Sequence, residues 1–144
     1  MTSLKTLPDV NVWLALAFGQ HPQHASANVW FGMQQNASAG FCRLTQMSLL
    51  RLLTQHVVMG TAVLTQHEAW HVYDRLQQDE RVLYSNEPIS LDEIFRRTSD
   101  REEISAKRWA DDYLLAFAEA AGLTLVTFDS ALAARVPSSI LLRP

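Results

Sequence analysis

One stretch limits the fold of this chain more than any other: KRWADDYLLAFAEAAGLTLVTFDS, Lys107 to Ser130. Ala106, Trp109, Ala110, Tyr113, Leu114, Phe117 and Ala121 recur at helical spacing and predict one long helix with an apolar face. Gly122 is suited to stop that helix, and Leu123-Thr124-Leu125-Val126 predicts a short buried strand directly after it. Two acids are oddly placed in this apolar segment, Asp111 within the helix and Asp129 just beyond the strand.

The remaining chain repeats the same alternation. Leu4 to Pro8 predicts a first strand ending at Asp9, followed by a helix through Val12, Trp13, Leu14 and Phe18 with Asn11 as its N-cap. A helix over His24 to Gln35 should place Ala27, Val29, Trp30 and Met33 inward, and Gly40-Phe41-Cys42 should open a second strand. Thr45 is placed to cap a third helix whose Met47, Leu49, Leu50 and Leu53 face the core. A helix over Thr65 to Gln78, a strand Arg81 to Tyr84 and a short helix around Leu91 to Arg97 follow. Ser130 to Arg135 reads as a further helical turn or two, and Ile140 to Leu142 as a last strand. Strands alternating with helices, and apolar runs that do not themselves alternate, predict an α/β fold with a parallel sheet covered on both faces. Ligands in such folds gather beyond the carboxyl ends of the strands, where Asp9 and Asp129 are expected.

At 144 residues the chain is expected to form a single domain, residues 1–144, with a sizeable core. A net charge of -3 gives no global basic field, which argues against a simple DNA-binding module but not against an enzyme that meets phosphates through metal ions. The single Cys42 excludes an internal disulfide and a four-cysteine zinc site. No window approaches the ~18 apolar residues of a membrane span, so a cytoplasmic protein with no membrane association is expected.

Each acid has a plain alternative. Asp9 and Asp129 both stand where a strand-end Asp caps the next helix. On a helical wheel Asp111 falls with Ile104, Leu115 and Ala118, where a lone carboxylate loses hydration unless it is paired or metal-bound. Its neighbour Asp112 lies four residues after Arg108 and reads as a solvated, ion-paired surface residue. If Asp9, Asp111 and Asp129 converge, their mutual repulsion calls for a cation, and hard oxygen donors favour Mg²⁺ or Mn²⁺. That is the arrangement of a metal-dependent phosphodiesterase.

The segments PDVNVWLAL, CRLTQMSLLRLLT, EPISLDEIFRR and WADDYLLAFAEAAGLTLVTFD, in this order and spacing, resemble the PIN-domain ribonucleases. More closely they resemble the VapC toxins of bacterial toxin–antitoxin pairs, especially those abundant in mycobacteria. The resemblance covers nearly the whole chain. It implies a three-layer α/β/α sandwich around a parallel sheet of about five strands. It also implies Mg²⁺- or Mn²⁺-dependent endonucleolytic cleavage of RNA, often tRNA or ribosomal RNA, leaving 5′-phosphate and 3′-hydroxyl ends, and inhibition by a small VapB-type antitoxin. By position, Asp9, Asp111 and Asp129 match the family's metal-binding acids, with Asn11 and Thr127 as supporting polar residues. Many members carry a Glu at the start of the third helix, where this chain has Gln46 beside Thr45. An amide orients water or coordinates weakly and adds no charge, so Gln46 is either a site residue or a helix surface residue. A PIN-like module that binds RNA or protein without cleaving is therefore the second reading. Arg51, Lys107 and Arg108 are candidates for substrate contact, with a solvated face as the alternative. The apolar content of the second to fourth helices suits a homodimer and an antitoxin groove.

A rival motif lies at His67-Glu68-Ala69-Trp70-His71, which matches the H-E-x-x-H pattern of zinc metalloproteases. Here the apolar side of the helix is Ala69, Val72, Tyr73 and Leu76, so His67 and His71 are expected to face water, and the third ligand such a site needs is marked by no motif, with Glu87 or Glu93 as the nominees.

Overall fold

The computed structural model describes residues 4–144. Five short strands, β1 Thr6–Pro8, β2 Ala39–Phe41, β3 Val82–Tyr84, β4 Thr124–Thr127 and β5 Ile140–Leu141, form one sheet in the order β3-β2-β1-β4-β5. Every pairing is parallel. Parallel neighbours need crossovers, and helices supply them. These are α1 Val10–Ala17, α2 His24–Gly32, α3 Arg43–Leu53, α4 His56–Met59, α5 Gln66–Gln78, α6 Leu91–Ser99, α7 Trp109–Ala121 and α8 Ser130–Ala134, with a 3-10 turn at Gly60–Ala62.

Side chains alternate across each strand and so divide into two cores. On one face Phe41 and Val126 pack with Trp13, Phe31, Leu49 and Tyr73 from α1, α2, α3 and α5. Trp13 stacks on Phe41 at 3.9 Å between ring centroids. On the other face Leu7 and Leu125 pack with Leu91 of α6 and with Leu114, Leu115, Phe117 and Ala118 of α7. Each fully buried Leu or Phe contributes roughly 1.5–3 kcal/mol. The result is the expected three-layer α/β/α sandwich.

Several local expectations shift. Asn11 is not the cap of α1; the cap is Asp9, whose side chain accepts from the Asn11 and Val12 amides. Thr45 does not precede α3 but lies in its first turn, where its hydroxyl accepts from the Cys42 amide, a bond that closes the same terminus. Val29, Met33 and Met47 are exposed although their spacing pointed inward. Most consequential, residues 100–108 form no regular element and α7 begins only at Trp109. Trp109 is 57% exposed and so lies outside the apolar face drawn from the sequence, and Ile104, placed with Asp111 on the helical wheel, is fully exposed. Gly122 ends α7 at φ 68, a left-handed conformation that favours glycine.

A candidate active site at the carboxyl edge of the sheet

The order β3-β2-β1-β4-β5 reverses direction between β1 and β4, because the chain leaves β1 to one side and later returns on the other. The crevice beyond the carboxyl ends of two such strands is the usual ligand position in an open α/β sheet. Asp9 follows β1 and Asp129 follows the short link after β4. Helix α7 precedes β4 and runs back along the sheet, so its first turn, with Asp111 and Asp112, lies at this same edge.

Asp9 is buried. Its Oδ1 accepts from the Asn11 amide at 2.9 Å and the Val12 amide at 3.3 Å, and its Oδ2 accepts from the Thr127 hydroxyl. Burial pushes the Asp9 carboxyl above its ordinary range, against the lowering effect of these donors; the charge of Asp129 adds to the rise. Thr127 is also fully buried, and its Oγ1 accepts from the Asp129 amide at 2.9 Å. The hydroxyl thus links the two strand ends, fixing Asp9 on one side and the Asp129 backbone on the other. Asp129 is exposed and caps α8, its Oδ1 accepting from Ala131 at 2.9 Å and Leu132 at 3.1 Å. Asp111 is exposed to solvent, yet partial burial raises its carboxyl, helped by Asp129 and opposed by Arg135.

Asp129 therefore acts on both other acids and is the electrostatic centre of the group. As the side chains stand, no three acids, histidines or cysteines among the described residues close on a single point tightly enough to hold a metal. The donor set still fits a hard divalent cation: three carboxylates repel through Asp129, and that repulsion is relieved by a shared charge.

Asp112 departs most from its sequence reading. It is not a solvated surface residue but is 0% exposed. Arg101 grips it with Nη1 at 2.8 Å and Nη2 at 2.9 Å, and Arg135 reaches it at 2.6 Å. The Arg101 guanidinium and then that of Arg135 hold its carboxyl below the ordinary range. Arg108, expected to be its partner, pairs with Glu103 instead. This clamp ties the irregular segment 100–108 and the end of α8 to the first turn of α7. Sequence reasoning missed it because Arg101 and Arg135 lie 11 and 23 residues away and periodicity does not see tertiary partners.

Gln46 is buried, not a helix surface residue, and its amide oxygen accepts from Arg43. Arg51 is exposed and lines a cavity of about 430 Å³ with Met47, Leu50, Ala69 and Trp70, between α3 and α5. Lys107 and Arg108 are exposed in the segment before α7. His67 and His71 face solvent on α5 with rings 5.0 Å apart. Glu68 closes the N-terminus of α5 with Thr65, exchanging bonds of 2.9 and 3.1 Å. A base for zinc-bound water needs that carboxylate free, and no third ligand stands near among the described residues.

Residues 6–137 match the family model for the PIN domain. Ribonuclease VapC41 of Mycobacterium tuberculosis is 40% identical over 130 residues, covering 87% of this chain and 89% of the relative. Ribonuclease VapC39 of the same species is 28% identical, covering 90% and 92%. Among solved structures, Mycobacterium tuberculosis VapC20, a sarcin–ricin loop cleaving toxin, superposes with a TM-score of 0.68 at 16% identity, over 97% of this chain and 100% of that one. VapBC2 of Rickettsia felis, bound to promoter DNA, superposes with a TM-score of 0.67 at 13% identity, over 96% and 97%. These structural likenesses concern the fold. Together with the length and identity of the sequence match, they lead to one assignment: the chain belongs to the PIN-domain family, among the VapC ribonucleases.

Proposed function

We propose that this protein is the toxin of a toxin–antitoxin pair, a metal-dependent endoribonuclease whose site is Asp9, Asp111 and Asp129. The observation that carries the assignment of residues is the position of Asp129 at the switch point of the sheet, acting on Asp9 and Asp111 alike. Asp9, Asp111 and the free Oδ2 of Asp129 would hold Mg²⁺ or Mn²⁺, which when bound polarises the phosphoryl oxygen and lowers the pKa of the attacking water. The chain's own part is positional. Thr127 and the first amides of α1 hold Asp9 in one orientation, while Asp129 keeps Oδ1 on the α8 amides and so leaves Oδ2 for the metal. Asp111 stands at the helix N-terminus, where the dipole favours its anionic form against the desolvation that raises it. Asn11 and Thr45 keep backbone-ordering roles at the helix starts that flank the edge.

The substrate is RNA, with tRNA or ribosomal RNA as the expected class. The partner is a VapB-type antitoxin, in keeping with VapBC complexes among the structural neighbours. Val29, Met33, Met47, Val57 and Trp70 leave apolar surface on α2 to α5 that suits a homodimer and antitoxin contact. No described helix is long and apolar enough to cross a membrane, and the cytoplasm is the proposed location. The test is Mn²⁺-dependent cleavage of RNA by purified protein, with end mapping. Wild type should leave 5′-phosphate and 3′-hydroxyl ends, Asp9→Asn and Asp111→Asn should lose cleavage while staying folded, and full activity in both would sink the reading.

Gln46 favours a second reading, a PIN-like module that binds without cutting. It predicts RNA or partner binding and no cleavage of any RNA at millimolar Mn²⁺.

A further inference from the structure

The residue that departs from the family pattern, Gln46, has a specific task in this fold. It is 7% exposed, and its Oε1 accepts from the Arg43 guanidinium at 2.5 Å. The Arg43 guanidinium carbon lies 5.2 Å from the centre of the Tyr84 ring, a cation–π distance. Arg43 is thus anchored on two sides, while the residue as a whole is exposed. Every ion pair among the described residues uses another cation, so its charge is not spent on a carboxylate.

Its place in the sheet gives the charge a direction. Arg43 opens α3 beyond the carboxyl end of β2, and Tyr84 closes the neighbouring β3. Along that edge the order runs Asp129 after β4, Asp9 after β1, then Arg43 over β2 and β3. At ~4.8 Å per strand, the guanidinium stands on the order of 10 Å along the edge from Asp9. That is too far to touch a phosphorus held at the acids and close enough for a phosphate further along the same strand.

We propose that Arg43 is a substrate-binding residue that grips an RNA backbone phosphate beside the scissile one, and that Gln46 is a positioning residue that orients Arg43 while leaving its charge intact. A Glu at this point would form a short ion pair with Arg43 and neutralise it, whereas the amide accepts the same hydrogen bond without charge. The inference rests on the ribonuclease reading of the acid edge.

The test measures anisotropy of a fluorescein-labelled single-stranded oligoribonucleotide on the full chain in EDTA, across a salt series, so that binding is read without cleavage. Arg43→Ala should weaken binding about tenfold and flatten the log K against log salt slope by ~0.7, the value of one single-strand phosphate contact. Arg43→Lys should keep the slope. Gln46→Glu should behave like Arg43→Ala, and Gln46→Ala should keep most of the slope. In cleavage assays the Arg43 and Gln46→Glu variants should raise KM far more than they lower kcat. If Gln46→Glu leaves RNA binding unchanged, or strengthens metal binding and cleavage, Gln46 is a metal corner and the inference is overturned. If Arg43→Ala spares RNA binding and loses only antitoxin affinity, the cation serves the partner and the inference is overturned. RNA binding that depends on Arg43, without cleavage by wild type, would sustain it and remove the catalytic reading instead.

Discussion

Removing the Asp112 carboxylate should cost more stability than any other single change near the site. Asp112 is fully buried and receives three charged hydrogen bonds of 2.6, 2.8 and 2.9 Å from two arginines. Deleting one partner of a buried ion pair costs roughly 3–5 kcal/mol, mostly through the charge left unpaired. The side chains of Arg101 and Arg135 are 23% and 32% exposed, so both recover some water, which places Asp112→Ala near the low end, about 3 kcal/mol. At roughly 2–4 °C per kcal/mol for a chain near this size, the melting temperature should fall by about 6–12 °C. Urea unfolding followed by circular dichroism at pH 7 reads the difference directly. The folded-state pKa of Asp112 lies below its ordinary 3.8, so its stabilisation is complete above that value and is lost as pH falls through the lower, folded one. The gap between wild type and Asp112→Asn should therefore stay constant from neutral pH down to about pH 4 and close only in stronger acid. A loss below about 0.5 kcal/mol, the range of exposed pairs, would refute the clamp as a structural tie.

Other outcomes follow from the same geometry. The Asp9 carboxyl is raised, so its charged form is disfavoured in the fold and stability is gained as pH falls through that raised value; Asp9→Asn should accordingly melt higher than wild type at pH 7 while losing cleavage. Gly122→Ala should cost about 1–2 kcal/mol by thermal melting, because φ 68 forces an L residue into the left-handed region. The pair His67→Ala and His71→Ala should leave RNA cleavage unchanged, and loss of cleavage in the folded double variant would contradict a site built on the three acids alone.

The layers and the parallel sheet could be expected from the sequence because both rest on local pattern: short apolar runs such as Leu125-Val126 separated by periodic helices leave few packings other than a parallel sheet, whereas the strand order came only with the structure. The positions of Asp9 and Asp129 were legible for the same reason, since a strand end shows as a change of pattern. The roles of Asp111 and Asp112 were not. The wheel that separated them assumed a helix continuous from Ile104, whereas α7 starts at Trp109. Asp111 does share the phase of the buried Leu115 and Ala118, as the wheel requires, but in the first turn of the shortened helix it is exposed. Asp112 is the carboxylate that lost its hydration, and the arginines that compensate it come from segments whose approach is tertiary. Arg43 was overlooked because its meaning lies in Tyr84, 41 residues away, and in the charge that Gln46 does not carry.

The most direct test of the central claim is a calorimetric titration of Mn²⁺ into the wild-type protein and into Asp9→Asn, Asp111→Asn and Asp129→Asn. Three carboxylates serving one site predict saturable binding in the wild type and its loss in each single variant, the folds remaining intact. Undiminished affinity in any of the three would contradict the shared site.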